Sequence, residues 1–393
     1  QYYSYNSVGT AYTYFKDFDY TNSGVKSTIA SFWNNLYNCI ASANNILNWA
    51  DKNKGVLGET NRNQVCGEAL ALRAFLHFDL YRLFCPDVKL SPRAEGIPYN
   101  KEFGVALPPM YTVEEVVQLV INDLKEAETL LASDPIVSTV PYTLGTKSDA
   151  DKYVARMNLY GVKAMLARVY QAKGDNVKAV AYAKEVIESG KFRLLEFASV
   201  DQTEALTDVL FSDEHIFSLR NKELKDYSEK LHRDEKKDGA TSFKPLPFGS
   251  YYNWYEGNND DVRYSKWFNL GDFMKYYMDN TDAFFRKMPM IKLSEMYLIV
   301  AECSFDTDSE MSLEYLNVLR DHRIRNHVHL QYLSKESIQD EMRREYLGEG
   351  QMWYVMKRNN LKIETGASSG DIEPSDVVYV FPMPDAEIED GHR

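Results

Sequence analysis

Residues 164–179 read Ala164-Met165-Leu166-Ala167-Arg168-Val169-Tyr170-Gln171-Ala172-Lys173-Gly174-Asp175-Asn176-Val177-Lys178-Ala179. Ala164, Ala167, Tyr170 and Ala179 keep a helical spacing, and Lys173-Gly174-Asp175 interrupts it with turn residues. Small residues let two helices approach closely, an aromatic fills the gap beside them, and Gly-Asp makes the turn. The stretch therefore predicts two helices, about 151–173 and 176–189, joined as a hairpin.

The cadence is that of a tetratricopeptide hairpin. It returns downstream, where Ala301 to Leu313 repeats the twelve-residue step from Ala167 to Ala179. Stacked hairpins of this kind bury a shared core and offer concave surfaces, usually to protein partners. Working outward, Phe32, Trp33, Leu36, Tyr37, Ile40, Ala43, Asn44 and Leu47 predict a helix over about 27–49. Ala69, Leu72, Phe75, Leu76, Leu80 and Leu83 predict a second over about 63–84, stopped by Pro86. Thr112 and Glu115 form a capping box opening a third, with Val116, Val117, Val120 and Leu124 on one face. Residues 86–109 and 135–148 read as loops. The helical period is lost from about 190 to 282, where only 214–219 looks extended and 239–259 reads as loop. It resumes at 290–305, 310–325 and 335–358, before an extended tail, Val377 to Phe381. The expected fold is mainly α, with helical hairpins, a loop-rich insert and few short strands. The expected organisation is a single unit over 1–393, divided into 28–189, 190–285 and 286–393.

The chain has 393 residues, a net charge of −13 and 44% apolar residues. That acidity argues against a nucleic-acid groove, which needs clustered Lys and Arg. The longest apolar run, Met296 to Ala301, is far short of the roughly 20 residues of a spanning helix. Cys39, Cys66, Cys85 and Cys303 have no CxxC spacing, so buried thiols are expected rather than a zinc site or a disulfide scaffold. The chain begins at Gln1 rather than Met, so an upstream segment, a signal peptide with a lipid-acceptor Cys, is an expectation.

Several stretches together resemble one family. They are Trp33-x-x-x-Tyr37-x-x-Ile40-x-x-x-Asn44, then Gly67-Glu68-Ala69-x-Ala71-x-Arg73-Ala74-Phe75-x-x-Phe78-x-Leu80, then Arg156-x-Asn158 leading into Ala164 to Tyr170. Leu293-x-Glu295-x-Tyr297-Leu298-Ile299-x-Ala301-Glu302, Leu316-Asn317-x-x-Arg320, Arg344-Glu345-x-x-x-Glu349-Gly350 with Lys357-Arg358, and Phe381-Pro382-Met383-Pro384 complete the series. In this order, over about 28–388, they resemble the SusD/RagB family of Bacteroidetes outer-membrane nutrient-binding lipoproteins. Cys85, in place of a usual glycine, and the lack of an Asn-rich closing motif depart from the pattern without touching its core. The resemblance implies a right-handed superhelical scaffold and an N-terminal lipid anchor at the cell surface. It also implies a SusC-like TonB-dependent transporter as partner, glycan (or, in some members, peptide) cargo, no cofactor and no catalysis.

The segment that looks most functional is Gly249 to Asp260, which contains Tyr251, Tyr252, Asn253, Trp254 and Tyr255. Aromatic rings cover the apolar C–H faces of sugars, and Asn, Asp, Glu and Arg pair with hydroxyls. Two readings stand: the rings stack on a glycan, or they pin a long loop to the helices. Two ligand-buried rings contribute roughly 3–6 kcal/mol before association costs, which predicts weak binding. Tyr12 and Tyr14 form a second candidate cluster, expected to face the same surface. Trp33 sits in apolar helical register and reads as core, and Asp261-x-Arg263 reads as a structural ion pair.

Glu341, Glu345 and Glu349 recur on one helical face among Arg343 and Arg344. A glycosidase needs two carboxylates across a cleft, one with a raised pKa. Neighbouring arginines hold carboxylates ionised instead, so a charge network is expected. His322, His327 and His329 lack an acidic ligand pattern in the sequence, so no metal site is expected. GxSxG, HExxH, GxGxxG and P-loop motifs are absent. The rival of another class is a helical-repeat scaffold whose sole ligand is protein.

Overall fold

A computed structural model describes residues 3–5, 11–104, 107–139, 153–201, 208–232, 243–245, 250–269, 272–277, 287–364 and 370–391. In chain order, the elements used below are β1 (Tyr3–Tyr5), α1 (Ala11–Lys16), α2 (Ser23–Lys52), α3 (Lys54–Phe84), β2 (Glu95–Pro98), β3 (Met110–Thr112), α4 (Val113–Leu130), α5 (Leu159–Lys173) and α6 (Asn176–Glu188). They continue as β4 (His215–Arg220), β5 (Phe243–Pro245), α7 (Ser250–Trp254), α8 (Val262–Trp267), β6 (Lys287–Lys292), α9 (Leu293–Ser304), α10 (Ser309–Asp321), α11 (Lys335–Glu345), α12 (Gln351–Arg358) and α13 (Asp376–Tyr379). The fold is mainly helical with few, short strands, as the periodicity predicts.

Its contacts group into two units. The first comprises Ser7–Val137, Met157–Asp175 and Met356–Arg393. Here α2 packs on α3, α3 on α4, and α4 on α5. Val25, Ile29, Trp33 and Ile40 of α2, Phe75 and Phe78 of α3, and Val116, Val120 and Leu124 of α4 are all buried. Gly67 allows the close approach of α3 to the end of α4, because a Cβ there would meet the Leu131 side chain at 2.6 Å. The family-pattern residues Asn44 and Arg73 are structural. Arg73 grips Asp123 from Nε and Nη2 at 2.7 and 2.8 Å, and donates from Nη1 to Asn44 at 2.9 Å. Tyr99 donates to the same Asp123 carboxylate, and Asn44 donates to the Asn100 carbonyl, so this cluster ties the 98–102 segment to three helices.

The second unit comprises Gln1–Asn6, Ser138–Arg156 and Asn176–Val355. There α9 lies against both α6 and α10, and also touches α11. Ala179, Ala183 and Ala301 are fully buried at these crossings, and the Ser312 hydroxyl donates to the Ala301 carbonyl at 2.5 Å. The second hairpin, α9 to α10, is therefore present. At the opening motif, α5 ends at Lys173 and α6 begins at Asn176. Between them Gly174 takes φ +82, and its N–H returns to the Tyr170 and Gln171 carbonyls. β4 pairs antiparallel with β6, and β1 with β5.

Several boundaries differ from expectation. α2 starts at Ser23, because Asn22 caps the Gly24 and Val25 amides. α3 starts at Lys54, and Gly58 at φ +68 breaks it before the periodic part begins. The 239–259 stretch is not all loop, since α7 forms within it. The 335–358 stretch is two helices, split where Gly348 and Gly350 take positive φ. Residues 376–379 make a helical turn before Phe381, whose N–H donates to Leu83. None of the four cysteines is in a disulfide, but Cys39 is exposed, contrary to expectation: it lies on the solvent side of α2. Cys85 is fully buried, as expected.

Candidate functional site

The site is assembled in the second unit, from α7 and α11. Trp254 ends α7, and the chain then reverses through Glu256 and Gly257, which take φ +59 and +65. The reversal is held by the Gly257 N–H on the Tyr252 carbonyl at 2.8 Å and the Asn258 N–H on the Tyr255 carbonyl at 2.9 Å. Arg344 of α11 clamps it from the other side. Its Nε donates to the Trp254 carbonyl at 2.5 Å, while Nη1 and Nη2 contact Glu341 and Glu256 at 2.8 and 3.0 Å.

A cavity of about 160 Å³ results, lined by Asn253, Trp254, Tyr255, Asp340, Arg343, Arg344 and Leu347. Trp254 is half-buried and Asn253 exposed, so both reach the solvent side. Arg343 and Asp340 form a partly exposed ion pair at 2.9 Å, leaving donors and acceptors of both signs at the cavity. One aromatic face beside a carboxylate, an amide and guanidinium groups suits a polyhydroxylated ligand with apolar C–H faces.

The aromatic segment predicted from sequence divides here. Tyr255 is only 2% exposed, and its hydroxyl donates to the Arg344 carbonyl at 3.2 Å. Its ring packs on Tyr264 and Phe268 with the Arg263 guanidinium over its face. Expected to stack on ligand, the Tyr255 ring instead packs beneath the segment, and the residue contributes only a buried part of the cavity lining. Tyr252 is half-buried and packs on Tyr264 at 5.6 Å. The side chains of Tyr251 and Tyr12 lie outside the described residues. Tyr14 sits half-buried in α1 of the first unit, with its carbonyl accepting from Asp19.

Sequence reasoning missed Asp340, Arg343 and Arg344 as neighbours of Trp254. Some 90 residues separate them from it, and only the aromatic half of the site carries a compositional signal.

Beneath the site lies a continuous ionic network of six acids and six bases: Glu214, Glu256, Asp261, Glu341, Glu345 and Glu349 with Arg263, Lys275, Lys292, Arg320, Arg323 and Arg344. The three recurring glutamates are buried, as expected of a charge network. Burial alone would raise the Glu341 pKa, but Arg263, Arg344 and Arg320 outweigh it and hold the carboxyl far below its ordinary value. Against the same burial, Arg323 and Lys292 hold Glu345 down, and Lys275 and Lys292 hold Glu349 down. Asp261 and Arg263 form the predicted ion pair at 2.7 Å. Asp208 and Asp213 are the acids raised to about 6, mainly by burial. They sit at the 208–214 turn, away from the cavity lining.

The histidines differ from expectation in one respect. His322 points elsewhere, to the Leu195 carbonyl, but His327 and His329 both converge on Asp321, an acidic partner the sequence pattern did not disclose.

Comparison with known proteins fits this architecture. A family model described as "Starch-binding associating with outer membrane" matches residues 1–159, and the SusD family model matches residues 249–377. The chain belongs to the SusD/RagB family. It is 40% identical over 74 residues to the SusD-like protein P38 of Formosa agariphila; that match takes in 18% of this chain and only 14% of that relative. A SusD-like carbohydrate binding protein from Bacteroides vulgatus aligns over 99% of this chain and 88% of its own, at TM-score 0.75 and 20% identity. A SusD superfamily protein from Bacteroides thetaiotaomicron aligns over 91% and 83%, at 0.73 and 22%. Surface glycan-binding protein A from Bacteroides uniformis aligns over 92% and 83%, at 0.68 and 19%.

Proposed function

We propose that this chain is a non-catalytic glycan-binding protein of the outer-membrane surface. It is lipid-anchored upstream of Gln1 and passes its ligand to a SusC-like TonB-dependent transporter. The observation that carries the binding reading is the cavity in which Trp254 and Asn253 meet Asp340, Arg343 and Arg344. Family membership and relatives whose names specify carbohydrate and surface glycan support it. The depressed pKa values of Glu341, Glu345 and Glu349 support the non-catalytic part, because carboxylates held ionised by arginine and lysine are poor general acids. Among the described residues no helix is long and apolar enough to cross a membrane, so the anchor reading rests on the family alone.

One stacking ring with a few polar contacts predicts high-micromolar to millimolar affinity. Isothermal titration against a panel of polysaccharides and oligopeptides tests the reading, with wild type and Trp254→Ala. Saccharide binding that the variant loses is the expected result. Heats from peptides alone would transfer the site to peptide cargo. Equal saccharide heats for both proteins would remove Trp254 from the site, and release of reducing sugar would overturn the non-catalytic reading.

A further inference from the structure

We propose that Asp321, His327 and His329 form a binding site for one divalent transition-metal ion of the zinc class. α10 ends at Asp321, and the chain turns back through Asn326, which takes φ +53. This return brings His327 Nδ1 to 2.8 Å from Asp321 Oδ1, and His329 Nε2 to 2.9 Å from Oδ2. All three ligand atoms lie within 4.8 Å of one another. Donors at such separations can share an ion at the roughly 2.0–2.2 Å bond lengths that zinc makes to nitrogen and carboxylate oxygen. Two imidazoles with one carboxylate is a borderline donor set that suits Zn²⁺ or Co²⁺ better than Mg²⁺ or Ca²⁺.

The surroundings hold this arrangement and leave it open. The Leu330 N–H and carbonyl both pair with the Asn317 side chain, at 2.8 and 3.1 Å, so the residue beside His329 is pinned to α10. The His327 side chain is 4% exposed, against 58% for His329 and 39% for Asp321. One ligand is thus fixed from within, and the other two face solvent, where water completes the coordination.

Arg320 stands behind His327, its Nε donating to His327 Nε2 at 3.1 Å. With an ion on Nδ1, the ring N–H would sit on Nε2, facing Arg320. Arg320 then gives up its Nε contact and keeps its bonds to Glu341 and Glu256 at 2.8 Å each. Without metal, the same contacts are hydrogen bonds from two imidazoles to a carboxylate, and binding data separate the two cases.

The test uses tag-free full chain, stripped with chelator and titrated with Zn²⁺ by calorimetry and with Co²⁺ by visible absorption. One equivalent should bind, with Co²⁺ developing bands of low-coordinate nitrogen–oxygen ligation. His329→Ala alters an exposed side chain, and Asp321→Asn keeps the shape of the carboxylate. Each should weaken binding at least about tenfold while circular dichroism stays unchanged, since even outer contacts of metal sites are worth that much. Zn²⁺ should also raise the Tm of wild type and leave that of His329→Ala where it was. No binding by wild type, or equal affinity in wild type and both variants, would overturn the site.

Discussion

Arg344 and Trp254 are joined by a 2.5 Å hydrogen bond from the arginine Nε to the tryptophan carbonyl. The aromatic half of the cavity is therefore positioned by the ionic network, through the same guanidinium that contacts Glu341 and Glu256.

Arg344→Ala should consequently do two things. It removes one of the three arginines that face buried Glu341 and releases the Trp254 carbonyl. Removing one member of a buried pair costs about 3–5 kcal/mol. Chemical denaturation should show a loss of that order, partly offset here because Arg263 and Arg320 still face Glu341. Arg344→Lys, which keeps the charge without the three-way fork, should retain more of the stability but still weaken saccharide binding. Wild-type affinity in the lysine variant would show that the clamp does not position the ring.

Acid should unfold the second unit steeply. Glu341, Glu345 and Glu349 have folded pKa values below their ordinary 4.5. Their contribution is complete above the unfolded value and is lost as pH falls below it toward the folded values. Asp208 and Asp213 act in the opposite sense: raised from 3.8 to about 6, their contribution is present below 3.8 and is lost as pH rises through 6. Urea midpoints taken from pH 3 to 8 should drop sharply below about pH 4.5. Asp213→Asn should flatten the decline between about pH 4 and 6 while sparing the acid limb.

Lys357 supports the end of α3 in the first unit. Its Nζ donates to the Arg82 and Cys85 carbonyls at 2.7 and 2.6 Å, and burial lowers its pKa to about 8. Because that value lies below the ordinary 10.5, its ionisation opposes folding below about pH 8, and the penalty lifts as pH rises toward 10.5. Lys357→Met leaves two buried carbonyls unanswered, at about 1–3 kcal/mol each. Denaturation at pH 7 should show that loss, and the variant should lack the wild type's gain in stability between pH 8 and 10. A variant as stable as wild type would mean that relief of the buried charge offsets the two lost hydrogen bonds.

Thiol chemistry should distinguish Cys39. It is exposed, whereas Cys66, Cys85 and Cys303 are buried, and burial pushes the Cys85 thiol up to about 12. A maleimide followed by intact mass should add one label to the native chain and four after denaturation. Early labelling of Cys85 would contradict its placement at the end of α3.

Features set by consecutive residues are legible in the sequence alone. The Thr112–Glu115 capping box opens α4 as expected, with the Thr112 N–H on Glu115 at 2.8 Å. Gly174 turns the chain between α5 and α6 for the same reason, because capping and turn geometry need only neighbours within one helical turn. Charge pattern told part of the network: the spacing puts Glu341 and Glu345 on one face of α11, whereas Glu349, expected on the same face, joins from the turn beyond the helix end. Their partners Arg263, Lys275, Lys292 and Arg323 come from residues 263–323, and only tertiary packing brought them together.

The aromatic segment marks the limit. Trp254 and Tyr255 are adjacent, similar in composition and both part of the cavity lining, yet Trp254 stays half-exposed while the Tyr255 ring is buried against Arg263. Likewise His327 and His329 acquire an acidic partner only because the chain folds back onto Asp321. Periodicity, caps and turns determined that this chain is a set of helical hairpins, since they are energies of neighbouring residues. Which ring faces a ligand and which carboxylate meets a base were decided by burial, and burial depends on what packs from elsewhere in the chain.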